Sequence, residues 1–353
     1  MGEAARQQGS KVTVSPCHRV TVSPCHPVTV SPGHPVTLGV LEAVAEAAPR
    51  CQHVRIDKMR LAEVCAGIRP ADVRLPTWNF PTFYRADPDA LAGQILLFNA
   101  VNFCYWGDPP WEIEFAGQWW GGSMAMLAAI HRALDEGIPL LDGVYLSRLS
   151  EKEFGQILRG RGALHLLPER LAIWRALGEV LVERFENSLT GVIFSAGGDA
   201  LALVHALVDN FPSFEDTATL EGQPVHFYKR GQLAAAMLFE AFGGRGWGAL
   251  ARTDQLTVFA DYKLPQVLRR LGILVYDAGL AAAVDGRTLI PAGDRREVEI
   301  RIATVQAAEL MRRNLVARLP EITALHIDYW LWFAGRQQGP GVKPYHRTLT
   351  TGY

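Results

Sequence analysis

Phe259-Ala260-Asp261-Tyr262-Lys263-Leu264-Pro265-Gln266 sets a carboxylate between two aromatic side chains at the start of a helical stripe. Leu264, Val267, Leu268 and Leu271 fall on one helical face. Asp is a favoured N-cap and Pro265 is tolerated in a first turn, so a helix is expected over 262–272. The same period extends outward. Residues 228–242 place Ala234, Met237, Leu238, Ala241 and Phe242 on a stripe that Gly243-Gly244 stops. Residues 296–319 carry Val298, Ile302, Val305, Ala308, Met311, Leu315 and Leu319. Residues 168–186 carry Leu171, Trp174, Leu177, Leu181 and Phe185 behind Pro168. Further helices are expected near 54–67, 89–104, 122–136, 150–158 and 198–210. Strand alternation is confined to Trp111–Phe115, where a tight turn at Ala116-Gly117 makes a small β-hairpin. The expected fold class is mainly α, a multi-helix globular fold with one small hairpin.

The chain has 353 residues, 49% hydrophobic and 20% charged, enough apolar material for a large core. A formal net charge of −1 supplies no global basic field, which argues against a long nucleic-acid partner and leaves a small nucleotide open. The five cysteines, at 17, 25, 51, 65 and 104, form no CxxC pair and read as free thiols of a reducing cytoplasm. No stretch approaches the about 20 apolar residues of a membrane span, and no apolar h-region opens the chain. GxGxxG after a strand, a Walker loop and HExxH are all missing, so neither metal nor organic cofactor is expected.

Val12-Thr13-Val14-Ser15-Pro16-Cys17-His18-Arg19 recurs from Val20 to Pro27 and from Val28 to Pro35, where Gly33 replaces the cysteine. Cys-His pairs eight apart lack zinc-finger spacing, and proline in each copy favours extended chain. Residues 1–36 are therefore read as a disordered repeat tail, and 37–353 as one helical domain of one or two lobes.

Asp261 has two compatible readings. It caps the helix that follows, or its carboxylate faces an anomeric carbon and stabilises an oxocarbenium-like charge during N-glycosidic cleavage. Phe259 and Tyr262 are core rings or the two sides of a slot for a flat base. Lys229 and Arg230 open a helix whose N-terminus disfavours cations, so an anion is expected beside them, and Lys229 is assigned to substrate phosphate or ribose. Asp328, before Tyr329, Trp330 and Trp332, is a cap, a buried acceptor or the partner of a cationic substrate arm. Asn102 is a polar residue in an apolar stretch read as helix. Gln118-Trp119-Trp120-Gly121-Gly122 is read as core or pocket wall.

Four motifs carry a resemblance. They are Phe259–Gln266, Phe227-Tyr228-Lys229-Arg230, Val101-Asn102-Phe103-Cys104-Tyr105-Trp106, and Ile327-Asp328-Tyr329-Trp330-Leu331-Trp332 with the tail Pro344-Tyr345-His346-Arg347. From about residue 40 onward the chain resembles the queuosine salvage protein family, whose members are queuosine 5′-phosphate N-glycohydrolases. The resemblance implies a fold related to helical DNA glycosylases and hydrolysis of queuosine 5′-monophosphate to queuine and ribose 5-phosphate. It implies Asp261 as the catalytic carboxylate. It implies substrate contacts from Phe259, Ala260, Tyr262, Tyr228, Lys229, Asp328, Asn102, His346 and Arg347. Eukaryotic relatives carry a histidine in the region of residues 76–90, and none stands there in this chain. The rivals are a helical DNA-base glycosylase and a non-catalytic nucleoside- or tRNA-associated binder in which Asp261 is only a cap. The first should show a basic face and a Gly-rich hairpin turn, and neither is evident.

Overall fold

The stripe Val298, Ile302, Val305, Ala308, Met311 and Leu315 becomes the buried face of the Arg295–Leu315 helix. In its first half nearly every position is buried, Glu297, Glu299 and Arg301 included, because this helix runs through the middle of the protein and packs on Val40–Ala47, Lys58–Gly67 and Ala324–Gly335. The computed structural model describes residues 37–336 and 342–353, so the repeat of 1–36 lies outside the described residues. Among the described residues fourteen α-helices share one apolar core, and strands occur as three antiparallel pairs. The mainly α expectation holds.

The expected hairpin pairs Glu112–Phe115 with Gln118–Gly121. Ala116 and Gly117 both take positive φ (51° and 75°), which suits a two-residue turn between twisted strands. Two other strand pairs were not expected. Thr217–Leu220 pairs with Gln223–His226, and Val54–Ile56 pairs with Leu274–Tyr276. The second corrects the helix expected from residue 54: the helix begins at Lys58, capped by Asp57, whose carboxylate accepts from Arg60 N. Its strand partner lies more than two hundred residues away, beyond any local pattern.

Two more corrections fall near the cavity. The helix expected over 89–104 ends at Ala100, so Asn102 lies past its end. Val101 leaves the helical region and Cys104 has φ 47°. The carbonyls of this segment are instead met by buried cations: Arg170 donates to Val101, Phe103 and Cys104, Arg230 to Asn99 and Ala100, and Lys229 to Asn102. Such partners replace the intrahelical bonds that a buried backbone would otherwise lack. Asp328, weighed as a cap, stands inside the Ala324–Gly335 helix. That helix carries apolar residues around most of its circumference, which hides its period.

The segment after 341 docks onto the body. Ile290 N donates to the Arg347 carbonyl at 2.9 Å, and Cys104 N donates to the Tyr353 carbonyl at 3.0 Å. No described helix is long and apolar enough to cross a membrane.

Candidate active site

Five helices, Pro88–Ala100, Gly122–Asp135, Lys229–Ala241, Lys263–Arg270 and Ala324–Gly335, supply side chains to one cavity. Trp78, Phe98, Phe259, Tyr329 and Trp332 form aromatic wall, and Asp261, Asp328 and Lys229 are its ionisable groups. Among the described residues no group of three His, Cys, Asp or Glu side chains is arranged to hold a metal ion.

Asp261 stands one residue ahead of the position expected of an N-cap, because Tyr262 is the N-cap of Lys263–Arg270. Its Oδ1 nevertheless accepts from Lys263 N at 2.7 Å and Leu264 N at 3.1 Å. Two backbone donors hold that oxygen in place, while Oδ2 has no hydrogen-bond partner among the described residues. The capping role and a place on the cavity wall therefore coexist.

Lys229 is 5% exposed, and its Nζ donates to the Asn102 carbonyl at 3.1 Å. Burial pulls its pKa down to about 8, against the opposing charge of Asp261 and with the Arg230 charge adding to the fall. The anion expected at this helix N-terminus is Asp216, whose Oδ2 accepts from Lys229 N at 3.0 Å. The helix start therefore needs no substrate phosphate to offset its cations. Arg230 points away from the cavity toward the Asn99, Ala100 and Ser213 carbonyls.

Asp328 Oδ2 accepts from Phe259 N at 2.7 Å, which ties the Ala324–Gly335 helix to the residue two before Asp261. Burial raises the Asp328 pKa well above the usual carboxylate range, and the Asp261 charge pushes the same way. Asn102 also lines the cavity, with Nδ2 3.4 Å from Asn99 Oδ1.

Asn102, Lys229, Phe259, Asp261 and Asp328 thus converge on the cavity. The other five expected contacts stand outside its wall. The Ala260 carbonyl accepts from Arg301 Nε at 3.1 Å. The Tyr262 ring lies 5.0 Å from that of Tyr345. Tyr228 stacks on His226. His346 is buried with Nε2 3.0 Å from the Tyr353 hydroxyl, and the Arg347 guanidinium lies over Trp106. Gln118 and the two tryptophans after it also stay off the wall: Trp119 is 46% exposed beneath Arg161.

Several residues here escaped the sequence reading. Leu233 and Met237 follow Lys229 at four-residue steps, and Trp332 follows Asp328 at the same step, so helical spacing from a known site residue would have found them. Trp78 carries no such signal. Neither do Asp216 and Arg301, a buried pair at 2.7–2.8 Å that touches both halves of the site. Asp216 takes the backbone of Lys229 and Arg301 takes the carbonyl beside Asp261.

Fold and cavity together define a helical protein with a cavity walled by aromatic rings, two acidic side chains and a lysine. The model of the family described as queuosine salvage protein matches residues 82–353. A protein of Sphaerobacter thermophilus named queuosine 5′-phosphate N-glycosylase/hydrolase is 42% identical over 316 residues, covering 90% of this chain and 98% of that protein. Proteins of the same name from Mus musculus and Schizosaccharomyces pombe are 34% and 31% identical, covering 88% and 71% of this chain and 98% and 76% of their own length. The chain belongs to the queuosine salvage protein family.

Proposed function

We propose that this protein hydrolyses the N-glycosidic bond of queuosine 5′-monophosphate, releasing queuine for salvage into tRNA modification. The reading is supported by the names of its relatives and by one geometric observation. Asp261 stands on the wall of an aromatic cavity with Oδ1 held by two backbone donors and Oδ2 outside that turn. Cleavage breaks the bond from C1′ to the base nitrogen. The electron pair leaves with the base, which takes up a proton, and a water oxygen ends on C1′. The sugar carries oxocarbenium-like charge at the barrier, and a fixed carboxylate lowers that barrier because its orientation costs nothing at the moment of reaction. Attack on C1′ and activation of water both need the ionised carboxylate.

Phe259 and the rings around it hold the base, Lys229 contacts phosphate or ribose, and Asp328 accepts from the cationic arm of queuine or its diol. Asn102 meets the base edge. Ala260 and Tyr262 flank Asp261 in the chain and hold it in place, whereas Tyr228, His346 and Arg347 stand off the cavity wall. Asp261→Asn tests the assignment. The amide oxygen keeps both backbone bonds, so the variant folds, and turnover falls by about 10²–10³ or more. A folded Asp261→Asn protein that releases queuine at the parental rate would falsify it.

A further inference from the structure

Glu240 lies on the same helix as Lys229, Leu233 and Met237, near its C-terminal end, and is 8% exposed. A single oxygen, Oε2, accepts from the Trp78 indole N–H at 2.6 Å and from the Tyr329 hydroxyl at 2.7 Å. Its other oxygen, Oε1, is buried with no hydrogen-bond partner among the described residues. Trp78 and Tyr329 are cavity-wall residues, whereas Glu240 stands behind them. Their rings meet edge to face at 5.7 Å, Tyr329 meets Phe259 at 6.3 Å, and Trp78 meets Trp332 at 6.0 Å. Trp78 sits at φ 48°, a conformation that a bulky residue holds only when its surroundings fix it, and Arg85 donates to its carbonyl at 2.8 Å.

A buried carboxyl group is a costly way to fill space. Here it joins three segments remote in sequence and turns the polar atoms of two aromatic residues away from the cavity. Both rings are then held in one orientation on the cavity wall by one shared oxygen.

We propose that Glu240 is a positioning residue that sets affinity and selectivity for the flat base, by fixing Trp78 and Tyr329 through a shared acceptor. The ligand class is a planar fused heteroaromatic ring, and the proposal rests on the hydrolase reading above. It assigns Glu240 no contact with substrate. Without the acceptor, an indole N–H and a phenol O–H lose their partner and the rings reorient, so affinity for the base falls while the sugar–phosphate end is untouched.

The full chain is titrated with queuine and, separately, with ribose 5-phosphate. Glu240→Met removes the acceptor at similar volume. It is expected to weaken queuine binding about tenfold, the loss of one well-made hydrogen bond or more, with ribose 5-phosphate affinity unchanged. Glu240→Gln retains an oxygen acceptor for both donors and restores queuine affinity. Tyr329→Phe keeps the ring, removes one donor, and weakens queuine by a smaller factor; it decides the matter if Glu240→Met does not fold. Parental queuine affinity in folded Glu240→Met or in Tyr329→Phe overturns the proposal, as does an equal loss for both ligands, which marks general disruption. A parent chain that binds queuine but does not hydrolyse the nucleotide strikes the hydrolase reading alone, because these titrations involve no chemistry. A parent chain that does not bind queuine overturns both.

Discussion

At the residue scale the site depends on ionisable groups taken out of water and held by few partners. Lys229 is the clearest case. If its charge meets the 5′-phosphate, Lys229→Ala loses more on the monophosphate than on the free nucleoside. A charge-assisted hydrogen bond is worth about 1.5–3 kcal/mol, so the kcat/KM ratio between the two substrates should drop by one to two orders of magnitude. An unchanged ratio assigns Lys229 to ribose or to Asp261 instead. Glu240 gives a pH signature. Burial pushes its pKa up to about 8, with the Asp328 charge adding, while bonds from Tyr329 and Trp78 oppose the rise. The group keeps its proton in the folded protein at pH values where the unfolded chain, near 4.3, has released it. Its contribution to stability is therefore fully present below about pH 4.3 and is lost as pH rises through about 8. Melting curves of parent and Glu240→Gln at pH 5 and pH 8 read this. The parent should lose more on going to pH 8, and parallel losses would show that Glu240 does not titrate there.

At the element scale, two helix starts are tied to the interior of a third helix by one ion pair. Arg301, inside the Arg295–Leu315 helix, holds Asp216 through both terminal guanidinium nitrogens and the Ala260 carbonyl through Nε. Asp216 in turn holds the first amide of Lys229–Ala241. The pair sets the distance between Asp261 and Lys229, which lie on separate elements and share no direct hydrogen bond. Removing one partner of a buried pair strands the other charge, so Arg301→Met should cost about 3–5 kcal/mol. Adding Asp216→Leu removes the stranded carboxylate and should recover much of that loss. Turnover should not recover, because the Ala260 carbonyl and Lys229 N–H still lack their anchors. A double variant with parental kcat/KM would show that the pair serves stability only. The same elements show what could be read locally. The hairpin at Ala116-Gly117 and the start of Lys263–Arg270 follow from turn and cap chemistry within four residues. Val54–Ile56 was misread as helix because its strand identity comes from Leu274–Tyr276.

For the whole molecule, the family match begins at residue 82 and the repeat has no periodic apolar face, so the eight-residue repeat should be dispensable. Deleting residues 1–36 is expected to change stability by less than about 0.5 kcal/mol and to leave kcat/KM unchanged. A large drop in melting temperature, or stoichiometric zinc that leaves with the deletion, would give the repeat a role. The tail after 341 behaves oppositely: Tyr353 is 2% exposed, with its ring 4.5 Å from the Arg301 guanidinium, so it closes over the strut that carries the site. The sequence by itself determined the helical class, the hairpin, the capping oxygen of Asp261 and the family motifs, because each depends on residues within a turn or two of chain. Only the tertiary structure decided which charges face the cavity. Lys229 and Arg230 are adjacent and chemically alike, yet one reaches the wall and the other is spent on backbone carbonyls. Trp78, Glu240 and Tyr329 are separated by 162 and 89 residues and meet on one oxygen atom. A buried polar group is tolerable only where the fold delivers its partner, and that delivery is a property of packing, not of any local pattern.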